Sequence, residues 1–152
     1  MDTERLEPII HTLRLIGTDK QPIEVKSNVG KSIRETLSAF ANANGGLIIV
    51  GLDEANGFLP VDGFDAAKAR DALETRCAQT TPPVRPLIDT VPFENSLVVV
   101  AEINEMTSED KPCYVTDQGK YGGSYIRVSD GDIRLTQYEV DRLIEERAQP
   151  KW

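Results

Sequence analysis

The feature that most constrains the fold is an Asn44-Gly45-Gly46 break followed at once by the apolar run LIIVGL, residues 47–52. A run of this length, rich in isoleucine and valine, is typical of a strand covered on both faces. Before the break, apolar side chains recur at helical spacing within residues 30–43, at Ile33, Leu37, Phe40 and Ala41. Residues 23–26 alternate between apolar and charged side chains, as strands do. Residues 23–54 therefore predict a strand–helix–strand unit.

Further helices and strands are predicted around this unit. Residues 3–16 and 66–78 have helical spacing, and residues 136–147 begin with a capping box, Thr136 and Glu139. Residues 85–92 and 96–103 predict a hairpin, and residues 111–116 and 124–129 predict two shorter strands.

Too few helices separate the later strands for a doubly wound parallel sheet. We therefore predict a mixed α+β fold with a mostly antiparallel mixed sheet, an early strand–helix–strand unit and flanking helices. One domain is expected over residues 1–152, with a helical N-terminal extension at about 3–16, a core at about 18–130 and a C-terminal helix at about 136–147.

Composition narrows the class of protein. No apolar run approaches the length of a membrane-spanning helix, and the acidic N-terminus lacks the basic region of a secretory signal. Cys77 and Cys113 lack metal-binding spacing and predict two buried thiols rather than a disulfide, so we expect a cytoplasmic protein without a membrane partner. The net charge of −8 excludes a generally basic protein, so any nucleic-acid binding must come from a local arrangement of cations.

Gly30-Lys31-Ser32 follows a predicted strand and opens a helix, as the phosphate-binding P-loop does. That motif needs another glycine five residues earlier, where this chain has Val25. The segment therefore predicts an ordinary helix N-terminus, at which Lys31 and Ser32 can still contact a backbone phosphate of a nucleic acid.

Three acidic residues form the first candidate site. Asp19 and Glu24 lie before and within the first strand, and Asp53 lies at the C-terminal end of the buried strand. If the two strands are adjacent, the carboxylates converge, and Glu24 and Asp53 can hold Mg²⁺ or Mn²⁺ for phosphodiester hydrolysis. The alternative is structural: Glu24 pairs with Lys26 or another cation, and Asp53 caps a turn.

Basic and aromatic residues form the second candidate site. Tyr125 and Arg127 share one face of a strand and can stack on a base and contact a phosphate, although a solvated strand face is the alternative. The predicted nucleic-acid-binding set is Lys26, Lys31, Arg34, Lys120, Tyr125 and Arg127. His11 is the sole histidine and lies on the first helix, so a histidine-based triad or zinc site is excluded.

Several of these segments together resemble a known family. Glu24-Val25-Lys26, the helix end AFANANGG at residues 39–46 and the strand LIIVGLDE at residues 47–54 resemble the Schlafen AlbA-like domain. Lys111-Pro112-Cys113-Tyr114 and Tyr125-Ile126-Arg127-Val128 resemble its later strands, in the same order. The resemblance covers about residues 18–130.

The resemblance implies a fold that binds DNA or RNA, found in bacteria at the N-terminus of regulator-type and ATP-binding proteins. In animal relatives, two such lobes cut transfer or ribosomal RNA with two glutamates, an aspartate and a divalent metal. By position these match Asp19, one methylene shorter than glutamate, with Glu24 and Asp53. The shorter side chain and the single lobe weigh against cleavage, although a homodimer would supply a second lobe.

Three functions therefore stay open from the sequence. The first is a nucleic-acid-binding module that is not itself an enzyme. The second is a metal-dependent endoribonuclease, and the third is an acidic protein-interaction or dimerisation module.

Overall fold

The computed structural model describes residues 1–17, 22–129 and 131–147. The helices in these ranges are α1 (Thr3–Ile16), α2 (Ile33–Asn42), α3 (Ala66–Cys77), α4 (Gly119–Gly123) and α5 (Gln137–Arg147). The strands are β1 (Ile23–Lys26), β2 (Gly46–Val50), β3 (Leu52–Asp53), β4 (Leu59–Pro60), β5 (Thr80–Thr81), β6 (Leu87–Phe93), β7 (Ser96–Ile103), β8 (Tyr114–Val115), β9 (Tyr125–Val128) and β10 (Gly131–Arg134).

Four strands form the central sheet in the order β1-β2-β7-β6. β1 and β2 are parallel and are joined through α2, whereas β7 is antiparallel to both of its neighbours. Glu94 and Asn95 link β6 to β7 with φ angles of +47° and +61°, as a two-residue type I′ turn requires. This topology confirms the predicted mixed α+β fold with an early strand–helix–strand unit.

Each face of the central sheet has its own hydrophobic core. Successive side chains of a strand point to opposite faces. Leu47 and Ile49 therefore pack with α1, while Ile48 and Val50 pack with α2 and α3. β2 is therefore covered on both faces, which confirms the prediction made from its apolar composition.

α2 is buried on its polar side as well as on its apolar side. The polar side packs against β8 and β9, where the Asn42 amide donates to the carbonyl oxygens of Cys113 and Tyr125, at 2.8 Å each. The Asn42 side-chain oxygen accepts from the Cys113 amide at 2.7 Å. The Ser38 hydroxyl donates to the Cys113 carbonyl at 2.7 Å and accepts from the Tyr125 amide at 3.0 Å. The asparagine of AFANANGG is therefore a structural residue that fixes two strands to the helix.

Two glycines let the chain pass from α2 into β2. Gly45 has a φ of +75°, and a Cβ there would collide with the carbonyl oxygen of Ile103. A Cβ at Gly46 would lie 2.7 Å from the carbonyl oxygen of Pro22 and 2.9 Å from the Phe40 ring. A side chain at either position would force the neighbouring backbone or ring to move.

The predicted boundaries of α1, β1, α3, β6, β7 and α5 are confirmed to within two residues. The capping box of α5 is also present, since the Thr136 amide donates to Glu139 at 2.8 Å and the Glu139 amide donates to the Thr136 hydroxyl at 3.2 Å.

Several elements differ from the prediction. β8 covers only Tyr114–Val115, shorter than the strand predicted at 111–116, and α4, β4 and β5 had no predicted counterpart. α2 begins at Ile33 rather than at position 30, because residues 31–32 form a turn. Gly51, with a φ of +112°, divides the apolar run into β2 and β3. Residues 131–134, for which no strand was predicted, form β10 and pair with β9.

Both cysteines are free and buried, as predicted. Burial raises the pKa of Cys77 to about 11 and that of Cys113 to about 12. These thiols are therefore protonated and unreactive near neutral pH. Among the helices in the described ranges, none has the length and apolar character that crossing a bilayer requires.

Candidate functional site

A buried arginine joins β1, β9, β10 and α2. Arg127 is 3% exposed, and its Nη1 donates to Glu24 at 2.8 Å and to Asp132 at 3.0 Å. Its guanidinium lies 4.9 Å from the centroid of the Phe40 ring, and Asp132 also accepts from the Thr36 hydroxyl at 2.6 Å. Burial lowers the pKa of Arg127, but hydrogen bonds to Glu24 and Asp132 raise it, and the net effect is a rise. Arg127 is therefore a permanent cation inside the fold.

The structure shows a side-chain partner for Glu24, one of the three acidic candidates. Asp19 lies outside the described residues. β1 and β2 are adjacent and parallel, as the metal-site hypothesis required, but Glu24 forms its ion pair with Arg127. Asp53 is half-buried and accepts from the Phe58 amide through its backbone carbonyl. Over residues 1–17, 22–129 and 131–147, no group of three or more His, Cys, Asp or Glu side chains can hold a metal ion. Because Asp19 lies outside these ranges, a Mg²⁺ or Mn²⁺ site formed by Asp19, Glu24 and Asp53 stays a prediction.

The predicted nucleic-acid-binding residues fall into two groups. Lys31 and Lys120 are exposed, and Lys26 is half-buried. By contrast, Arg34, Tyr125 and Arg127 are buried, with 8%, 4% and 3% of their surface exposed. Tyr125 and Arg127 do share a strand face, but that face packs against α2 rather than facing solvent. Their expected role in direct stacking and phosphate contact is corrected accordingly, because the polar side of α2 covers them.

Side-chain hydrogen bonds connect the N-terminal end of α2 with the segment before α4 and with β9. Arg34 donates to the Lys31 carbonyl at 3.1 Å and to the Asp117 carboxylate at 2.9 Å. The Tyr125 hydroxyl donates to the side-chain oxygen of Gln118 at 3.1 Å. The beginning of α2 and residues 117–118 therefore lie side by side at the surface.

Arg134 adds a cation here that the sequence did not identify. It lies opposite Tyr125 in the β9–β10 register, with its guanidinium 5.7 Å from the Tyr125 ring centroid and 3.3 Å from the hydroxyl. The hydrogen bond with Tyr125 is the main cause of the raised pKa of Arg134. Alternation in residues 131–134 after the turn that follows β9 is the signal that could have identified β10, and with it Arg134.

We call the exposed residues Lys31, Lys120 and Arg134 the cationic surface; the buried Arg34 supports it through its ion pair with Asp117. The Lys120 ammonium lies 5.4 Å from the centroid of the Tyr121 ring, which is 44% exposed. Three carboxylates also lie around this surface, on Glu35, Asp117 and Asp141. Three exposed cations from three chain segments thus lie in one region of a chain whose net charge is −8.

The fold and this surface define a class of small α+β domain, in which a buried helix lies between a mixed sheet and a second layer of strands. The chain belongs to the Schlafen AlbA_2 family, whose model matches residues 19–136.

Two solved structures are similar in fold to this chain. The chain is similar to the N-terminal domain of a Nitrosomonas europaea protein named for a relationship to the ATP-dependent DNA helicase RecG. The two share 28% identity with a TM-score of 0.64, over 85% of this chain and 92% of that one. The fold is also similar to that of the DIP2311 protein from Corynebacterium diphtheriae, with 15% identity and a TM-score of 0.58, over 98% of this chain and 29% of that one. No curated protein sequence matches the chain.

Proposed function

We propose that this domain binds nucleic acid, DNA or RNA, through the cationic surface, with the half-buried Lys26 as a further contact. The observation that supports this most directly is the proximity of the exposed cations Lys31, Lys120 and Arg134 in an otherwise acidic chain. Lysine and arginine contacts with phosphates supply most of the sequence-independent affinity for nucleic acids. A local cluster of this kind can act even though the net charge of the chain opposes binding.

Two further features support the proposal. Lys31 precedes the first turn of α2, where the helix dipole favours an anion. The exposed Tyr121 ring beside Lys120 offers a surface on which a base can stack, in place of the buried Tyr125. The family, and the helicase-related name of the Nitrosomonas protein, also support a nucleic-acid-related role.

The observations favour binding over cleavage. Cleavage by the metal-dependent route needs Glu24 as a ligand, and Glu24 is engaged with the buried Arg127.

Two free, buried thiols suit the reducing conditions of the cytoplasm.

Salt-dependent titration tests the proposal. Fluorescence anisotropy with labelled single-stranded RNA, single-stranded DNA and duplex DNA should show affinity that falls linearly in a log–log plot against salt. Three charge reversals test the surface: Lys31→Glu, Lys120→Glu and Arg134→Glu. Each should weaken binding to every sequence and reduce the slope of log affinity against log salt concentration by about 1.

Arg5→Glu is the matched control, because Arg5 is 63% exposed on α1, on the other side of the central sheet. Equal loss of affinity in Arg5→Glu and in the three reversals, or no salt-dependent binding to any of the ligands, would contradict the proposal. Light scattering on the same samples reports whether the domain binds as a monomer or as a homodimer.

A further inference from the structure

A crevice of about 350 Å³ opens at the carboxyl ends of the parallel strands β1 and β2. It is lined by residues 27–29 after β1, residues 61–65 after β4, and the first two turns of α3. Open sheets that contain parallel strands commonly bind ligands at this edge, because the loops that follow the strands meet there. The crevice is separate from the cationic surface but lies next to it along the chain.

The floor of the crevice is apolar and includes an aromatic ring. Val29 and Phe64 are half-buried, and Ala69 and Ala72 line the side formed by α3. The Phe64 ring is fixed in place against Gly51, where even a Cβ atom would approach the ring to 2.8 Å. A planar apolar group can therefore lie in the crevice against a floor that is already ordered.

The rim of the crevice is polar and differs from the cationic surface. Asn28, Asp62 and Lys68 are exposed at the rim, and the Asp65 carboxylate accepts from the Lys68 backbone amide at 3.1 Å. The amide of Asn28 both donates and accepts, whereas an ionised Asp62 only accepts. The carboxylates of Asp62 and Asp65 outnumber the single ammonium of Lys68, so the rim disfavours a phosphate and favours a neutral group that carries hydrogen-bond donors.

The loop that lines the crevice leads directly to the cationic surface. Ser27, Asn28 and Val29 line the crevice, and Lys31 follows after one residue. A nucleic-acid strand whose phosphates contact Lys31 can therefore extend a neighbouring base toward Val29 and Phe64. Duplex stacking would prevent this, so the base must come from a single strand.

We propose that this crevice binds one unstacked nucleobase, a subsite that rests on the nucleic-acid-binding function proposed above. A base has flat apolar faces for the floor and a polar edge for the rim. Because Asp62 only accepts hydrogen bonds, we expect the subsite to favour adenine, cytosine and guanine, whose exocyclic amino groups offer two donor hydrogens, over uracil and thymine, which offer a single ring N–H.

Filling the crevice tests the proposal without removing a cation. Ala72→Leu places a larger side chain on the α3 wall, and Ala67→Leu is the matched control on the exposed side of the same helix. Anisotropy titrations with oligo(rA), oligo(rC) and oligo(rU) measure base preference, and circular dichroism confirms that both variants are folded. Phe64→Leu tests the ring independently.

The wild type should bind oligo(rA) and oligo(rC) more tightly than oligo(rU). Ala72→Leu should abolish that preference and weaken binding of oligo(rA) about five- to a hundredfold, the range that stacking of one base supplies, without changing the salt dependence. Ala67→Leu should bind as the wild type does. Saturable binding of AMP that is lost in Ala72→Leu would support the subsite and identify a free nucleotide as its ligand; binding of oligonucleotides alone would identify a strand.

Salt-dependent binding with no base preference, unchanged in Ala72→Leu and Phe64→Leu, would overturn the subsite and leave the cationic surface intact. Absence of binding to every oligonucleotide and to AMP would instead overturn both proposals.

Discussion

Replacing Arg127 by methionine removes the guanidinium from its buried network and keeps much of its apolar volume. The guanidinium pairs with Glu24 at 2.8 Å and with Asp132 at 3.0 Å, and both contacts use the same nitrogen. In the Arg127→Met variant, the two carboxylates face each other without the cation between them. The expected result is a large loss of folding stability, whatever nucleic acid the domain binds.

The size of the expected loss of folding stability follows from the burial of Arg127, Glu24 and Asp132. The side chain of Arg127 is 1% exposed, and those of Glu24 and Asp132 are 12% and 17% exposed, so water can replace little of the lost interaction. Removing one partner of a buried ion pair costs about 3–5 kcal/mol. A loss of about 4 kcal/mol would lower the Tm of a domain of this size by roughly 8–16 °C.

Urea unfolding measures this loss as a shift in the transition midpoint at constant slope. Arg142→Met is the matched control, because Arg142 is 58% exposed and lies 3.7 Å from Glu145 on α5. Exposed ion pairs of this kind contribute little to the free energy of unfolding, so Arg142→Met should change it by less than about 0.5 kcal/mol. Glu24→Gln retains an acceptor for Arg127 and should cost about 1–2 kcal/mol.

Similar midpoints for Arg127→Met and Arg142→Met would refute the reasoning. The network would then not stabilise the fold, and Glu24 would again be a candidate metal ligand. A neutral effect of Glu24→Gln on stability, together with loss of any Mn²⁺-dependent cleavage of RNA, would point to the same conclusion.

Three further predictions concern the folding stability of the domain. Asn42→Ala leaves the Cys113 amide and the Tyr125 carbonyl without their side-chain partner, and should cost about 3 kcal/mol or more in urea unfolding. Gly45→Ala should cost more than Gly57→Ala in the same assay; both positions have positive φ, which alone costs about 1–2 kcal/mol, but only Gly45 would bring its Cβ against a backbone oxygen. The raised pKa values of Cys77 and Cys113, about 11 and about 12 against 9.0 for a free thiol, mean that the folded protein keeps protons that the unfolded chain loses. Stability should therefore be unaffected by these thiols below about pH 9 and fall by about 1.4 kcal/mol per pH unit per thiol from there up to the folded pKa of each, about 11 for Cys77 and about 12 for Cys113, and Cys113→Ala should reduce that slope.

The sequence predicted those parts of the fold that depend on neighbours along the chain. The periodicity of α1, the capping box of α5 and the Glu94-Asn95 turn each depend on a few consecutive residues, and each is confirmed. The burial of β2 on both faces also followed from its own composition, because a strand with no polar side chain has no face suited to water.

The candidate site was only partly predictable for a physical reason. The two-residue period of a strand shows that Tyr125 and Arg127 share a face, but it does not show whether another element covers that face. In the same way, the polar side of α2 has the composition of a solvated surface, yet Ser38 and Asn42 use it to hold β8 and β9.

What the sequence determined by itself is the strand–helix–strand unit at residues 23–54, its family and the exposed lysines Lys31 and Lys120. The tertiary structure alone decided that Glu24 pairs with Arg127, since 103 residues separate them and no local pattern relates the two. It also decided that β10 brings Arg134 onto Tyr125, because pairing between strands, rather than the spacing of residues, fixes which side chains meet.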